Sequence, residues 1–117
     1  MKGKVFLIHW SALEAEELAR PLRKEGWQVL VEAEEGARAY RQIMSAVPDV
    51  MVVYLTKLPS HGIGTAYFLR SIMETRHMPI VFVGGEDEVV AKAKDKIPDA
   101  QCVRPSELAK ILTRLSK

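Results

Sequence analysis

The sequence predicts a single α/β domain built on a five-stranded parallel sheet with helices on both faces. Three observations predict it. Val50 to Leu55 (VMVVYL) is an unbroken apolar run rich in β-branched residues, as expected of a central strand buried on both faces. Runs of this kind alternate with helical stripes, five of each, which implies parallel strands and crossover helices. No repeat, linker or low-complexity segment interrupts the alternation, so residues 1–117 read as one domain.

Lys4 to Ile8 (KVFLI) is the first buried strand and ends at His9 and Trp10. Ser11 and Glu14 have capping-box spacing, and Ala15, Leu18, Ala19 and Leu22 form one apolar stripe behind them. Pro21 removes a backbone donor inside that helix and should bend it, and Gly26 closes it. Trp27 to Ala33 is bounded like a strand. Ala37, Tyr40, Met44 and Val47 make the stripe of a second helix, stopped by Pro48. The central strand leads into Pro59, Ser60, His61 and Gly62, which open a third helix with Gly62, Thr65, Ala66, Leu69, Ile72 and Met73 on one face. Pro79 to Val83 is a fourth strand, broken by Gly84-Gly85. Val90, Ala93 and Ile97 align on a short helix over 87–97, where Lys92, Lys94 and Lys96 point in different directions and read as a solvated surface. Ala100 to Val103 is the last strand. Pro105 opens a final helix with Leu108, Ile111, Leu112 and Leu115 in register, and Lys110, Arg114 and Lys117 suit its C-terminal dipole.

Composition is that of an ordinary globular domain, 48% hydrophobic and 27% charged. A formal net charge of +2 is too small to argue for nucleic acid, and Asp95, Asp99 and Glu107 interleave with the C-terminal lysines. The single Cys102 excludes an intrachain disulfide and gives no support to an oxidising compartment. No apolar run approaches the ~18 residues of a membrane span, and no signal-peptide core opens the chain. The expectation is a cytoplasmic protein with no membrane partner.

KVFLIHW, PDVMVVYL, MPIVFVGGE and CVRP, in this order and spacing, resemble the strand ends of the receiver domain of two-component response regulators. The resemblance covers residues 4 to 115 and implies a flavodoxin-like sheet of order 2-1-3-4-5, with two helices on one face and three on the other. In that family an acidic pair follows the first strand, an aspartate ends the third, and a hydroxyl and a lysine end the fourth and fifth. The acidic pair falls on His9 and Trp10. The family's usual offsets from Pro48-Asp49 and from Gly62 both place the phosphoacceptor at Tyr54, whereas the offset from Pro59 gives Leu55. The hydroxyl falls on Gly84, the lysine on Arg104, and the switch aromatic on Gln101. Mg²⁺ wants carboxylate and water oxygens, and an aspartyl nucleophile carries the chemistry, so the resemblance implies a pseudo-receiver with a degenerate phosphorylation site.

Other chemistries find less support. His9, His61, His77 and Cys102 lack the short ligand spacing of a metal site, so no metal is expected. Gly84-Gly85 is similar to a glycine pair in cobalamin-binding domains, but the Asp-x-His-x-x-Gly loop those domains carry is absent. Neither a flavin phosphate loop, a G-x-G-x-x-G motif nor a P-loop is present, and no cofactor is expected. Ser11, Ser60 and His61 lack a nucleophile-elbow context, so no catalytic residues and no enzyme are expected. His9, Trp10, Tyr54, His61 and Arg104 share one sheet edge. Trp10 and Tyr54 are read as aromatic filling of a vacated site, with Gly84 beside them; the alternative is an edge that binds an anion or small ligand. The expected function is signalling through protein–protein contact, independent of phosphorylation. The family's usage suggests residues 87–117, the fourth helix, fifth strand and fifth helix, as the partner or homodimer surface.

Overall fold

The computed structural model describes residues 3–33 and 36–115. Its strands are β1 (Gly3–Ile8), β2 (Trp27–Glu32), β3 (Val50–Tyr54), β4 (Ile80–Val83) and β5 (Gln101–Val103). Its helices are α1 (Ala12–Lys24), α2 (Gly36–Ser45), α3 (Pro59–Arg70), α4 (Asp87–Lys96) and α5 (Leu108–Leu115). All pairings are parallel, in the order β2-β1-β3-β4-β5. This is the flavodoxin-like arrangement that the strand ends imply.

Side-chain alternation divides the core between the two faces of the sheet. Val5, Leu7, Val52 and Tyr54 point to the side closed by α1 and α5, where Ala15, Ala19, Leu108 and Leu112 meet them. Phe6, Ile8, Met51, Val53 and Leu55 point to the side closed by α2, α3 and α4. Because β3 is buried on both faces, every one of its residues is apolar or aromatic.

Several local expectations shift. Ser11 caps α1 only through its backbone, with no side-chain capping bond, because Glu14 is drawn instead to His9. Helix α1 continues through Pro21 to Lys24. Among the described side chains of α2 the fully buried one is Ile43, whereas Val47 lies beyond the helix end and is exposed. The Ala37 side chain and Lys117 lie outside the described residues. Helix α3 stops at Arg70, so Met73 falls in the turns that follow and is exposed, and Ile63 takes the buried place assigned to Thr65. Pro105 opens a 3₁₀ turn, Pro105–Glu107, ahead of α5.

The lower end of α3, at the amino edge of the sheet, is held by two side chains, Arg70 and Thr75. The Arg70 guanidinium donates to the carbonyls of Arg76 (2.8 Å) and Met78 (2.6 Å) and lies 3.0 Å from Asp99 Oδ2. The buried Thr75 hydroxyl donates to the Leu69 carbonyl. At the same edge Asp49 accepts the Lys4 N–H at 2.8 Å, which ties β1 to the turn before β3.

Candidate functional site

In open parallel sheets, ligands collect at the carboxyl ends of the strands. Here that edge carries His9 and Trp10 after β1, Glu32 at the end of β2, Tyr54 and Leu55 at the end of β3, Gly84 after β4 and Arg104 after β5.

The alternation along β1 sends His9 and Trp10 to opposite sides. His9 joins Tyr54 on the α1/α5 side, with ring centroids 5.3 Å apart, and both are buried. Trp10 turns to the other side, across the first turn of α3, and meets His61 edge-on at 6.0 Å. Gly62 makes that approach feasible: a Cβ there would lie 2.7 Å from Val53 Cγ1 and 3.6 Å from Trp10 Nε1. The edge is thus filled by two aromatic pairs, one on each side of the sheet. Leu55 is buried as well and points to the side opposite Tyr54.

The electrostatics follow from burial. His9 Nε2 lies 3.0 Å from Glu14 Oε2, so a neutral ring with its proton on Nε2 donates to that carboxylate. Burial pulls the His9 pKa below its ordinary value; Glu14 pushes it back up, and Lys57 adds to the lowering. His9 Nδ1 and Trp10 Nε1 are buried without hydrogen-bond partners among the described residues. Burial pushes the Tyr54 phenol up to about 12, so it carries no charge at neutral pH.

The other expected positions are more open. Gly84 and Gly85 both adopt left-handed backbone (φ +73° and +91°), and a Cβ on Gly85 would lie 2.9 Å from Leu55 Cβ. The pair is a turn that side chains resist. Arg104 is exposed, and among the described residues its guanidinium makes no hydrogen bond or ion pair. Its backbone N–H donates to Glu107, and the Arg104–Pro105 peptide is trans. His77 is exposed in the turns after α3, remote in sequence and fold from the edge. Among the described residues no three His, Cys, Asp or Glu side chains gather as metal ligands would.

Sequence reasoning missed two features. The first is Glu32, fully buried at the end of β2 and gripped by Arg38 at 2.7 and 3.0 Å, the two-point fork that suits guanidinium and carboxylate. A lone acid closing an apolar strand, with an arginine soon after, was the available signal. The second is a groove of about 400 Å³ between α3 and α4, with Pro59, Ile63, Gly64, Tyr67 and Val89 in its lining. Lys92 and Lys96 stand on its α4 wall, so these two lysines share a side, while Lys94 faces β5 closely enough to act on the Cys102 thiol. α3 carried only part of the signal for this groove. Tyr67 and Phe68 add apolar surface outside the stripe of Ile63, Ala66 and Leu69, which an ordinary surface helix lacks. A second hollow of about 460 Å³ adjoins it at the sheet edge, between Thr56 and Glu86, and shares Pro59 and Val89.

Solved structures share this fold. A protein from Chloroflexus aurantiacus assigned as a response regulator superposes with a TM-score of 0.82 at 20% identity, over 97% of both chains. The signal receiver domain of a histidine kinase from Syntrophus aciditrophicus gives 0.79 at 19% identity, over 97% of this chain and 89% of that one. The chemotaxis protein CheY4 of Vibrio cholerae gives 0.79 at 20% identity, over 96% of this chain and 97% of that one. At these identities the likeness is one of fold. No protein-family profile matches the sequence, and no curated protein matches it significantly.

Proposed function

We propose that this chain is a receiver-like signalling module that works without aspartyl phosphorylation, through contacts with other proteins. One observation carries the reading. Where a phosphorylatable receiver needs converging carboxylates for Mg²⁺ and a nucleophile, this edge holds His9, Trp10, Tyr54 and Leu55, three of them buried, packed as aromatic and aliphatic filling. Among the described residues the one buried carboxylate of the edge, Glu32, is already held by Arg38. In this reading the positions of the lost site are His9, Trp10, Tyr54, Gly84 and Arg104, and the domain is neither an enzyme nor a metal binder. No helix among the described residues is long and apolar enough to cross a membrane. The partner surface of the reading is the face of α4, β5 and α5. There β5, three residues long, has no neighbouring strand on its outer edge among the described residues, and a second copy is one candidate partner.

The test is direct. Incubated with acetyl phosphate and Mg²⁺, the protein should show no phosphoryl adduct by intact-mass spectrometry; an adduct on a carboxylate near Tyr54 would overturn the reading. The unpartnered ring nitrogens of His9 and Trp10 favour a second reading, an edge that binds a small ligand or anion. A rise in melting temperature with phosphate, a nucleotide, a flavin or cobalamin would move weight to it.

A further inference from the structure

We propose that the groove between α3 and α4 is a docking site for an acidic, apolar-anchored segment of a partner protein. The space is built into the helix. Gly64 lies inside α3 at an ordinary helical φ, and a Cβ there would meet nothing within 4 Å. Neither a turn nor a close approach requires glycine at this position, and glycine weakens a helix interior relative to alanine. What its missing side chain does is keep the groove open above Ile63 and Val89.

The walls specify the occupant. α3 carries no carboxylate anywhere along its length, and neither does α2 beside it. The α4 wall presents Lys92 and Lys96 one turn apart, with Asp95 the single acid of the lining. The Lys96 ammonium sits 5.1 Å from the Tyr67 ring centroid, which holds a positive charge at the mouth of the groove. Apolar floor, aromatic rim and ammonium groups together ask for an apolar side chain flanked by carboxylates. The surroundings indicate a polypeptide rather than a small molecule. Tyr67, in the lining, is 52% exposed, and on the same helix Phe68, 53% exposed, meets Tyr40 of α2 at 5.6 Å and carries apolar surface across the outer side of α3. The acids at the upper end of α4, Glu86, Asp87 and Glu88, lie outside this lining.

The site lies on the other flank of α4 from the dimer surface proposed above. A phosphoryl adduct would overturn the earlier reading and leave this one standing. The experiment is selection of peptides from a random phage library on the immobilised full chain. Enriched peptides are then titrated by fluorescence anisotropy against wild type, Gly64→Gln and the double variant Lys92→Glu/Lys96→Glu. Enriched peptides should place an aromatic or branched aliphatic residue beside Asp or Glu. Both variants should lose about tenfold or more in affinity, and added salt should weaken wild-type binding. Gly64→Gln should melt no lower than wild type, so its loss of binding reads on the groove and not on folding. If the charge-reversed pair fails to fold, Lys92→Gln/Lys96→Gln replaces it. Enrichment of neutral or basic peptides, no enrichment at all, or unchanged affinity in both variants would overturn the proposal. So would binding of a single-stranded oligonucleotide or of phosphatidylglycerol vesicles in place of the acidic peptides.

Discussion

The amino-terminal half of α3 borders two places that could have been similar and are not. Toward the sheet edge, Gly62 lets the helix press against Val53 and Trp10, and the space is filled by packed rings. Toward α4, Gly64 faces open space and a groove remains. The same residue type on one helix therefore has opposite uses, close approach in one case and vacancy in the other. What decides between them is whether a neighbouring element occupies the position of the missing Cβ.

The largest effect should come from putting a carboxylate back at the filled edge. Tyr54→Asp removes a buried ring and leaves an acid in an apolar setting, so a loss of about 2–5 kcal/mol at neutral pH is expected. Its pKa should rise in the fold. A carboxylate with a folded pKa above the unfolded one penalises the fold increasingly as pH climbs through the unfolded value, and the penalty levels off above the folded value. Urea melts of mutant and wild type from about pH 4 to 7 should therefore diverge as pH rises. A flat difference would show that the edge is polar and open, which would erase the contrast with the groove.

The glycine pair measures the contrast itself. Gly62→Ala should cost about 1–3 kcal/mol, because Val53 is fully buried and β-branched and cannot yield. Gly64→Ala should instead stabilise by about 0.5–1 kcal/mol through helix propensity. Changes of the same sign in the two denaturation midpoints would mean that the two environments do not differ as described.

The smallest effect concerns His9. Its folded pKa lies below 6.5, so the unfolded chain takes up the proton first as pH falls, and stability declines below that value until the folded ring also protonates. His9→Asn should flatten this slope, and Glu14→Gln should deepen it, since Glu14 supports the protonated ring. Melts of the three proteins across the window check both directions.

The strands were legible because burial on both faces leaves little choice of residue: Val50 to Tyr54 can hardly be anything else. The edge positions followed from where those strands stop. Less legible were features set by competition between elements. Glu14 fits a capping box by spacing, yet a buried imidazole with an unmet donor draws it away from Ser11. Ile43 was hidden because a stripe placed on Val47 runs past the helix end. The groove could not be read from α3 alone, since an empty space belongs to two helices at once. Lys92 and Lys96 share a helix face by their i, i+4 spacing, which the intervening Lys94 obscured, and α3 supplies the wall opposite them.

The clasp at the far end of α3 has a mechanical consequence. Arg70 and Thr75 anchor the bottom of the helix to the segments around Arg76, Met78 and Asp99. The top begins at Leu58, a non-glycine residue in left-handed backbone (φ 43°) with no side-chain cap, a conformation that costs on the order of 1 kcal/mol. The two ends of the helix are thus secured in different ways, the lower by hydrogen bonds and an ion pair, the upper by packing against Val53 and Trp10. The upper end therefore owes its position to shape, and a larger side chain at Gly62 would disturb it where a polar change would not.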